Sequence, residues 1–146
     1  MTTSFLLPWY LRDLNKLKEE IASYKNENDL WVVKGDINNS AGNLALHLTG
    51  NLKHFIGALL GNTGYVRNRD KEFADKNIPR PTLLKEIDDM ISILEKTLSG
   101  IKEEDLGKEY PAPFLGEKRT IGYLLLTLLM HLNYHLGQIN YHRRLI

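Results

Sequence analysis

The five histidines of the chain lie on two segments with helical periodicity, and their spacing suits the binding of a metal ion. In the last segment, apolar residues at steps of three and four give way to His131, His135 and His142. His131 and His135 are four residues apart, so a helix places both rings on one face, about 6 Å apart. An earlier segment carries His47 and His54 in the same way. We therefore predict that one divalent ion is bound by His131, His135 and a third imidazole, for which His47 is the candidate.

The surrounding residues exclude several classes of metal site. Leu132 follows His131, so the His-Glu-x-x-His motif of metalloproteases is absent. No glutamate stands three residues before a histidine, as in carboxylate-bridged di-iron bundles, and the chain has no cysteine. Neutral imidazoles favour a divalent transition metal such as Zn, Ni or Fe. A metal-free alternative stays open, in which buried histidines bond to neighbouring amide and tyrosine side chains.

Two amides continue the faces that carry the histidines. Asn51 lies one turn after His47, and Gln138 lies about one turn after His135. Asn51 and Gln138 are the candidate catalytic residues, because an amide beside a metal can orient a bound water or substrate. Their alternative role is to bond a buried neighbour.

A charged loop could bind an anionic ligand. The segment from residue 65 to 73 contains Arg67 and Arg69, whose guanidinium groups can form charge-assisted hydrogen bonds with a carboxylate or phosphate. We take both as candidate cofactor-binding residues. The alternating Asp70 and Glu72 allow another interpretation, in which the loop is held by internal salt bridges.

Four amphipathic helices must position these side chains. Apolar residues recur at helical steps before residue 25, from 40 to about 60, from 82 to 99 and from 120 to the C-terminus, and no window shows a strand period. Ser40, Thr82 and Thr120 are predicted N-caps, and Gly100 is predicted to end the third helix. The pattern predicts an all-α, single-domain four-helix bundle over residues 1–146, with long inter-helix connections near 61–81 and 100–119.

Composition narrows the possible partners. The chain has 146 residues and a formal net charge of +1, so no strong positive field is available to bind nucleic acid. The longest apolar run, residues 121–132, is shorter than the roughly 20 residues that span a bilayer. We see no sorting signal and expect a cytoplasmic protein that does not bind membranes.

The histidine motifs resemble those of the DinB-like superfamily, also called YfiT-like. The resemblance rests on the sequences His-Leu-Asn-Tyr-His-Leu-Gly-Gln-Ile from His131 and Asn-Leu-Ala-Leu-His-Leu from Asn43, and it covers essentially the whole chain. It implies a metal-binding four-helix bundle, often dimeric, with His47, His131 and His135 as ligands. One departure is Leu136, where many members have an arginine that could contact substrate.

Two functions follow as expectations. Relatives in this superfamily include transferases that use low-molecular-weight thiols, and proteins described as metal-dependent hydrolases. The resemblance therefore implies a homodimeric, metal-dependent enzyme that acts on a small molecule. Its metal would activate either a thiol cofactor, for transfer to the small molecule, or water, for hydrolysis of it. The alternative is a non-catalytic, stress-associated bundle that binds a metal.

Overall fold

Four long helices form the frame of the computed structural model, which describes residues 3–146. The α-helices are α1 (Thr3–Ala22), α2 (Ala41–Leu52), α3 (Arg69–Ala74), α4 (Arg80–Ser99) and α5 (Ile121–Leu145). Helices α1 and α2 lie at opposite corners of the bundle, each packed against both α4 and α5. The predicted all-α class is confirmed, with two isolated β-bridges and no strand among the described residues.

Leucine and isoleucine side chains at helical spacing fill the centre of the bundle. Fully buried examples are Leu17 on α1, Leu48 on α2, Ile87 on α4 and Leu132 on α5. Burial of each such side chain contributes about 1.5–3 kcal/mol relative to exposure, so the apolar faces determine how the four helices pack. The histidine-bearing ends of α2 and α5 are thereby brought side by side.

Three of the four predicted helix boundaries are confirmed. The side chains of Ser40 and Thr120 accept hydrogen bonds from backbone N–H groups at the start of α2 and α5, and Gly100 follows α4. The prediction that Thr82 caps α4 is wrong, because the helix begins at Arg80. Pro81 lies in its first turn, where the missing N–H of proline costs no helical hydrogen bond.

Helix α2 changes its geometry before the end predicted for it. The segment Lys53–Ala58 continues α2 as a π-helix instead of an α-helix. A π-helix has more residues per turn, so side chains after residue 52 no longer follow the α-helical face that carries His47. His54 is half-buried with its ring against Phe55, and it is not among the three histidines that converge.

Asn43 ties the connection before α4 to the start of α2. The buried side-chain amide of Asn43 donates hydrogen bonds to the backbone carbonyls of Glu72 and Asp75, at 3.0 and 2.8 Å. Asn68 caps α3 by accepting from the N–H of Lys71. These bonds hold α3 against α2 and aim the side chain of Glu72 inward.

None of the helices within residues 3–146 combines the length and the hydropathy needed to cross a lipid bilayer.

Candidate metal centre

Three imidazole rings converge between α2 and α5. The Nε2 atom of His131 lies 3.1 Å from the Nε2 atoms of both His47 and His135. One ligand nitrogen from each ring lies within 4.8 Å of those of the other two. Two nitrogens bound to one zinc at 2.0–2.1 Å with tetrahedral angles would be about 3.3 Å apart. The two separations from His131 are close to that spacing, so the three rings are placed to hold a single ion.

Hydrogen bonds fix two of the three rings with their Nε2 lone pairs pointing inward. The Nδ1 atom of His47 lies 3.0 Å from a carboxylate oxygen of Glu72, which can only accept, so Nδ1 carries the proton. The Nδ1 atom of His135 is 2.7 Å from the side-chain oxygen of Gln138. Both rings then present an unprotonated Nε2 to the centre, which is the form that binds metal.

The two rings from α5 are held uncharged at neutral pH. Burial, followed by the neighbouring rings of His135 and His47, lowers the pKa of His131 to about 4. Burial also lowers the pKa of His135. A histidine must be neutral to bind a metal, so these shifts reduce the competition from protons. The Nδ1 atom of His131 is buried without a hydrogen-bond partner in the described structure.

Glu72 forms a buried ion pair behind His47. Arg67 donates to both carboxylate oxygens, from Nε and Nη2, each at 2.8 Å. Burial alone would raise the pKa of Glu72, but the hydrogen bonds from Arg67 and His47 outweigh it and lower that pKa. Phe73 packs its ring on His47, with 4.9 Å between the ring centroids.

The two arginines predicted to bind an anionic ligand have different surroundings. Arg67 has the internal salt bridge that was the alternative interpretation, and it is mostly buried. Arg69 is exposed and lies over the ring of Phe73, 5.2 Å from its centroid.

The two candidate catalytic amides also differ. Asn51 is buried, and its side-chain oxygen has no hydrogen-bond partner within residues 3–146. Gln138 is exposed and bonded to His135, so its amide orients a ring of the centre.

A surface cleft leads to one side of the centre. Its volume is about 790 Å³, and it lies between the C-terminal half of α5 and the loop before α2. Its walls include Asp36, Asn39, Tyr134, His135, Gln138 and Arg144. A small molecule in this cleft would reach the edge of the imidazole cluster at His135.

His142 lies outside the cluster and has a structural environment. Its Nε2 is 2.8 Å from the carbonyl oxygen of Val32, and its Nδ1 is 2.6 Å from the hydroxyl of Tyr24. The carbonyl can only accept, so Nε2 carries the proton and the tyrosine hydroxyl donates to Nδ1. His142 therefore joins α5 to the connection between α1 and α2.

Sequence reasoning did not recognise the contact between Glu72 and the histidines. It considered Glu72 only as a partner for the loop arginines, which is half of what the structure contains. The single available signal was a carboxylate in a charged loop of unusual length, and periodicity cannot place such a loop.

Comparisons with known proteins agree on the fold. The sequence profile of the family described as "Protein of unknown function (DUF1572)" matches residues 8–146. A DinB-like protein from Bacillus cereus superimposes with a TM-score of 0.76 at 16% identity, covering 98% of this chain and 91% of that one. A DinB-like protein from Bacillus subtilis gives a TM-score of 0.67 at 21% identity, with 95% and 89% covered. A search of curated proteins found no match.

Proposed function

Because the chain belongs to the DUF1572 family and has the DinB-like fold, we propose that it is a metal-dependent enzyme acting on a small molecule. In this proposal His47, His131 and His135 bind one divalent transition metal ion. The observation that carries it is the convergence of three Nε2 atoms, two of them held unprotonated by Glu72 and Gln138.

The chemistry would come from coordination positions that the protein leaves open. Structural zinc sites are usually closed by four protein ligands, whereas catalytic sites use three and leave a position for water or substrate. A divalent ion held by three imidazoles would lower the pKa of a coordinated water or thiol near neutrality. The chain contains no cysteine, so a thiol would have to arrive as a small cofactor. Zn, Ni and Fe all suit this ligand set.

The remaining residues would bind and orient the small molecule. The cleft beside His135 gives it access, with Tyr134 supplying an exposed aromatic wall. Asn51 does not line the cleft, and we assign it the task of accepting a hydrogen bond from a group bound at the ion, because its buried side-chain oxygen is otherwise unpaired in the described structure. Gln138 would orient His135. Of the two loop arginines, Arg69 is the more available for an anionic group, because Arg67 is already paired with Glu72, but Arg69 lies outside the cleft lining.

A homodimer and a cytoplasmic location are further parts of the proposal. Exposed apolar side chains follow one face of α5 and continue onto α1, which packs beside it. They are Phe5, Trp9, Tyr123, Leu126 and Met130. A face of this kind on a soluble bundle is typical of a protein interface, and we assign it to a second copy of the chain.

Elemental analysis of untagged protein tests metal binding. We expect wild-type protein to contain one equivalent of a transition metal per chain and His131→Ala to contain none. His54→Ala is the matched control and should keep the metal, because the sequence places His54 on the same predicted helical face as His47. Wild-type protein without stoichiometric metal, after incubation with zinc, nickel or ferrous iron, would contradict the proposal.

A cobalt-substituted sample tests whether the ion has open positions. Addition of azide or a small thiol should change the visible spectrum, since an exogenous ligand would enter the coordination sphere. A spectrum that does not respond would instead support the non-catalytic metal-binding bundle.

A further inference from the structure

We propose that Glu72 is a positioning residue, which holds His47 in the orientation and tautomer that binds metal, and that Arg67 and Gly50 hold Glu72 in turn. This inference rests on the metal binding proposed above. It concerns residues of a loop and of α2 that the ligand motif does not include.

The carboxylate of Glu72 satisfies three donors at once. Its Oε1 atom accepts from His47 Nδ1 at 3.0 Å and from Arg67 Nη2 at 2.8 Å, while Oε2 accepts from Arg67 Nε at 2.8 Å. Only 6% of Glu72 is exposed. Both of its oxygens are therefore used to join the loop arginine to the imidazole.

A buried ion pair of this kind needs a reason other than fold stability. The desolvation of two charges offsets most of their attraction, so such pairs contribute little compared with apolar packing. The attachment of α3 to α2 is already provided by Asn43, which bonds to the backbone of Glu72 and Asp75. The additional effect of the Glu72 side chain is to orient the ring of His47. A carboxylate behind a ligating histidine fixes the tautomer and makes the ring a stronger donor.

Gly50 provides the space in which the carboxylate lies. A Cβ atom at this position would overlap Oε2 of Glu72 and approach its Cδ to 2.8 Å. Gly50 follows His47 by three residues, on the buried side of α2. An alanine here would displace the carboxylate, because the three atoms nearest to the added Cβ all belong to the side chain of Glu72.

Once Glu72 is removed, Arg67 would favour the tautomer of His47 opposite to the one that Glu72 selects. Its Nη2 atom is 3.5 Å from Nδ1 of His47. Guanidinium can only donate, so without the carboxylate it would turn toward the Nδ1 lone pair and favour the tautomer with the proton on Nε2. That tautomer cannot bind metal through Nε2. Glu72 thus also keeps the arginine from selecting the wrong tautomer.

The test compares zinc affinity in five variants by competition with a chromogenic chelator. Glu72→Ala and Gly50→Ala should weaken binding by about 10- to 100-fold, the range found for residues behind metal ligands. Adding Arg67→Ala to Glu72→Ala should restore part of the loss. Glu72→Gln, which keeps the shape, should lie between. Glu20→Gln, which breaks the ion pair with Arg143 on the other side of the bundle, is the matched control and should bind like wild type.

Nitrogen-15 spectra of the histidine side chains in metal-free protein supply a readout that a purely structural role would not move. Wild-type His47 should show its proton on Nδ1, and Glu72→Ala should shift the population toward Nε2. If wild type binds zinc and Glu72→Ala binds it equally, the inference is wrong and the proposed function stands. If wild type binds no zinc, nickel or ferrous iron, the proposed function fails, and an unchanged His47 tautomer in Glu72→Ala overturns the positioning role as well.

Discussion

Mild acid should destabilise the metal-free protein, and His131 should account for a measurable part of the loss. Its pKa is lowered to about 4 from an ordinary value near 6.5, chiefly by burial. The unfolded chain therefore binds a proton at this histidine before the folded chain does. This difference leaves stability unchanged above about pH 6.5 and lowers the free energy of unfolding as the pH falls from 6.5 toward 4.

The size of the effect follows from the shift. A pKa shift of this size corresponds to a loss of about 3 kcal/mol in the free energy of unfolding between pH 7 and pH 4. Part of the ring remains accessible to solvent, which screens the interaction, so about 2 kcal/mol is our expectation. For a domain of this size that is a large fraction of the free energy of unfolding.

Urea unfolding in the presence of a chelator, at several values between pH 7 and pH 4.5, measures this loss. The variant His131→Gln cannot take up the proton but keeps every other titrating group of the chain. Wild type should lose about 2 kcal/mol more than the variant over that range. Equal losses in the two proteins would show that His131 is not held neutral by the fold, and the reasoning would be refuted.

Three further outcomes are expected. Tyr24→Phe should lower the free energy of unfolding by about 1–3 kcal/mol in urea, because the buried Nδ1 of His142 loses its donor. Ser40→Ala should cost about 1 kcal/mol in the same assay, because the first turn of α2 loses its cap; an unchanged midpoint would contradict the capping role. Met130→Glu, at a position that is 65% exposed, should leave the fold intact but shift sedimentation from dimer to monomer. Identical sedimentation of the two proteins would argue against the α5 face as the interface.

Local rules were sufficient for the helices and for the three clustered histidines. Ser40 and Thr120 were identifiable because a cap depends on residues within one turn of it. The pairing of His131 with His135 follows from the geometry of a single helix. The prediction that His47 joins this pair required only that two amphipathic helices pack with their histidine-bearing faces together.

The remaining features depend on departures from local rules. Thr82 fits the cap pattern, but Pro79 and Pro81 begin the helix earlier. His54 shares the predicted face of His47, but seven residues separate them, about 10 Å along a helix, and it is not one of the three histidines that converge. Glu72 belongs to a connection whose path is set by long-range bonds to Asn43, which no sequence period encodes. The supporting residues of the centre therefore became visible only with the fold.

The π-helical turn of Lys53–Ala58 has a consequence for how relatives should be aligned. Such a turn commonly differs from an ordinary α-helix by the insertion of one residue. Loss of that residue would rotate the end of the helix by about 100°. The start of the connection that carries Arg67 and Glu72 would move with the end of the helix. Homologues with a one-residue gap at this turn should therefore keep His47 and the two histidines of α5, and keep the Asn43 contact with the segment of Glu72, but place the residue equivalent to Arg67 differently.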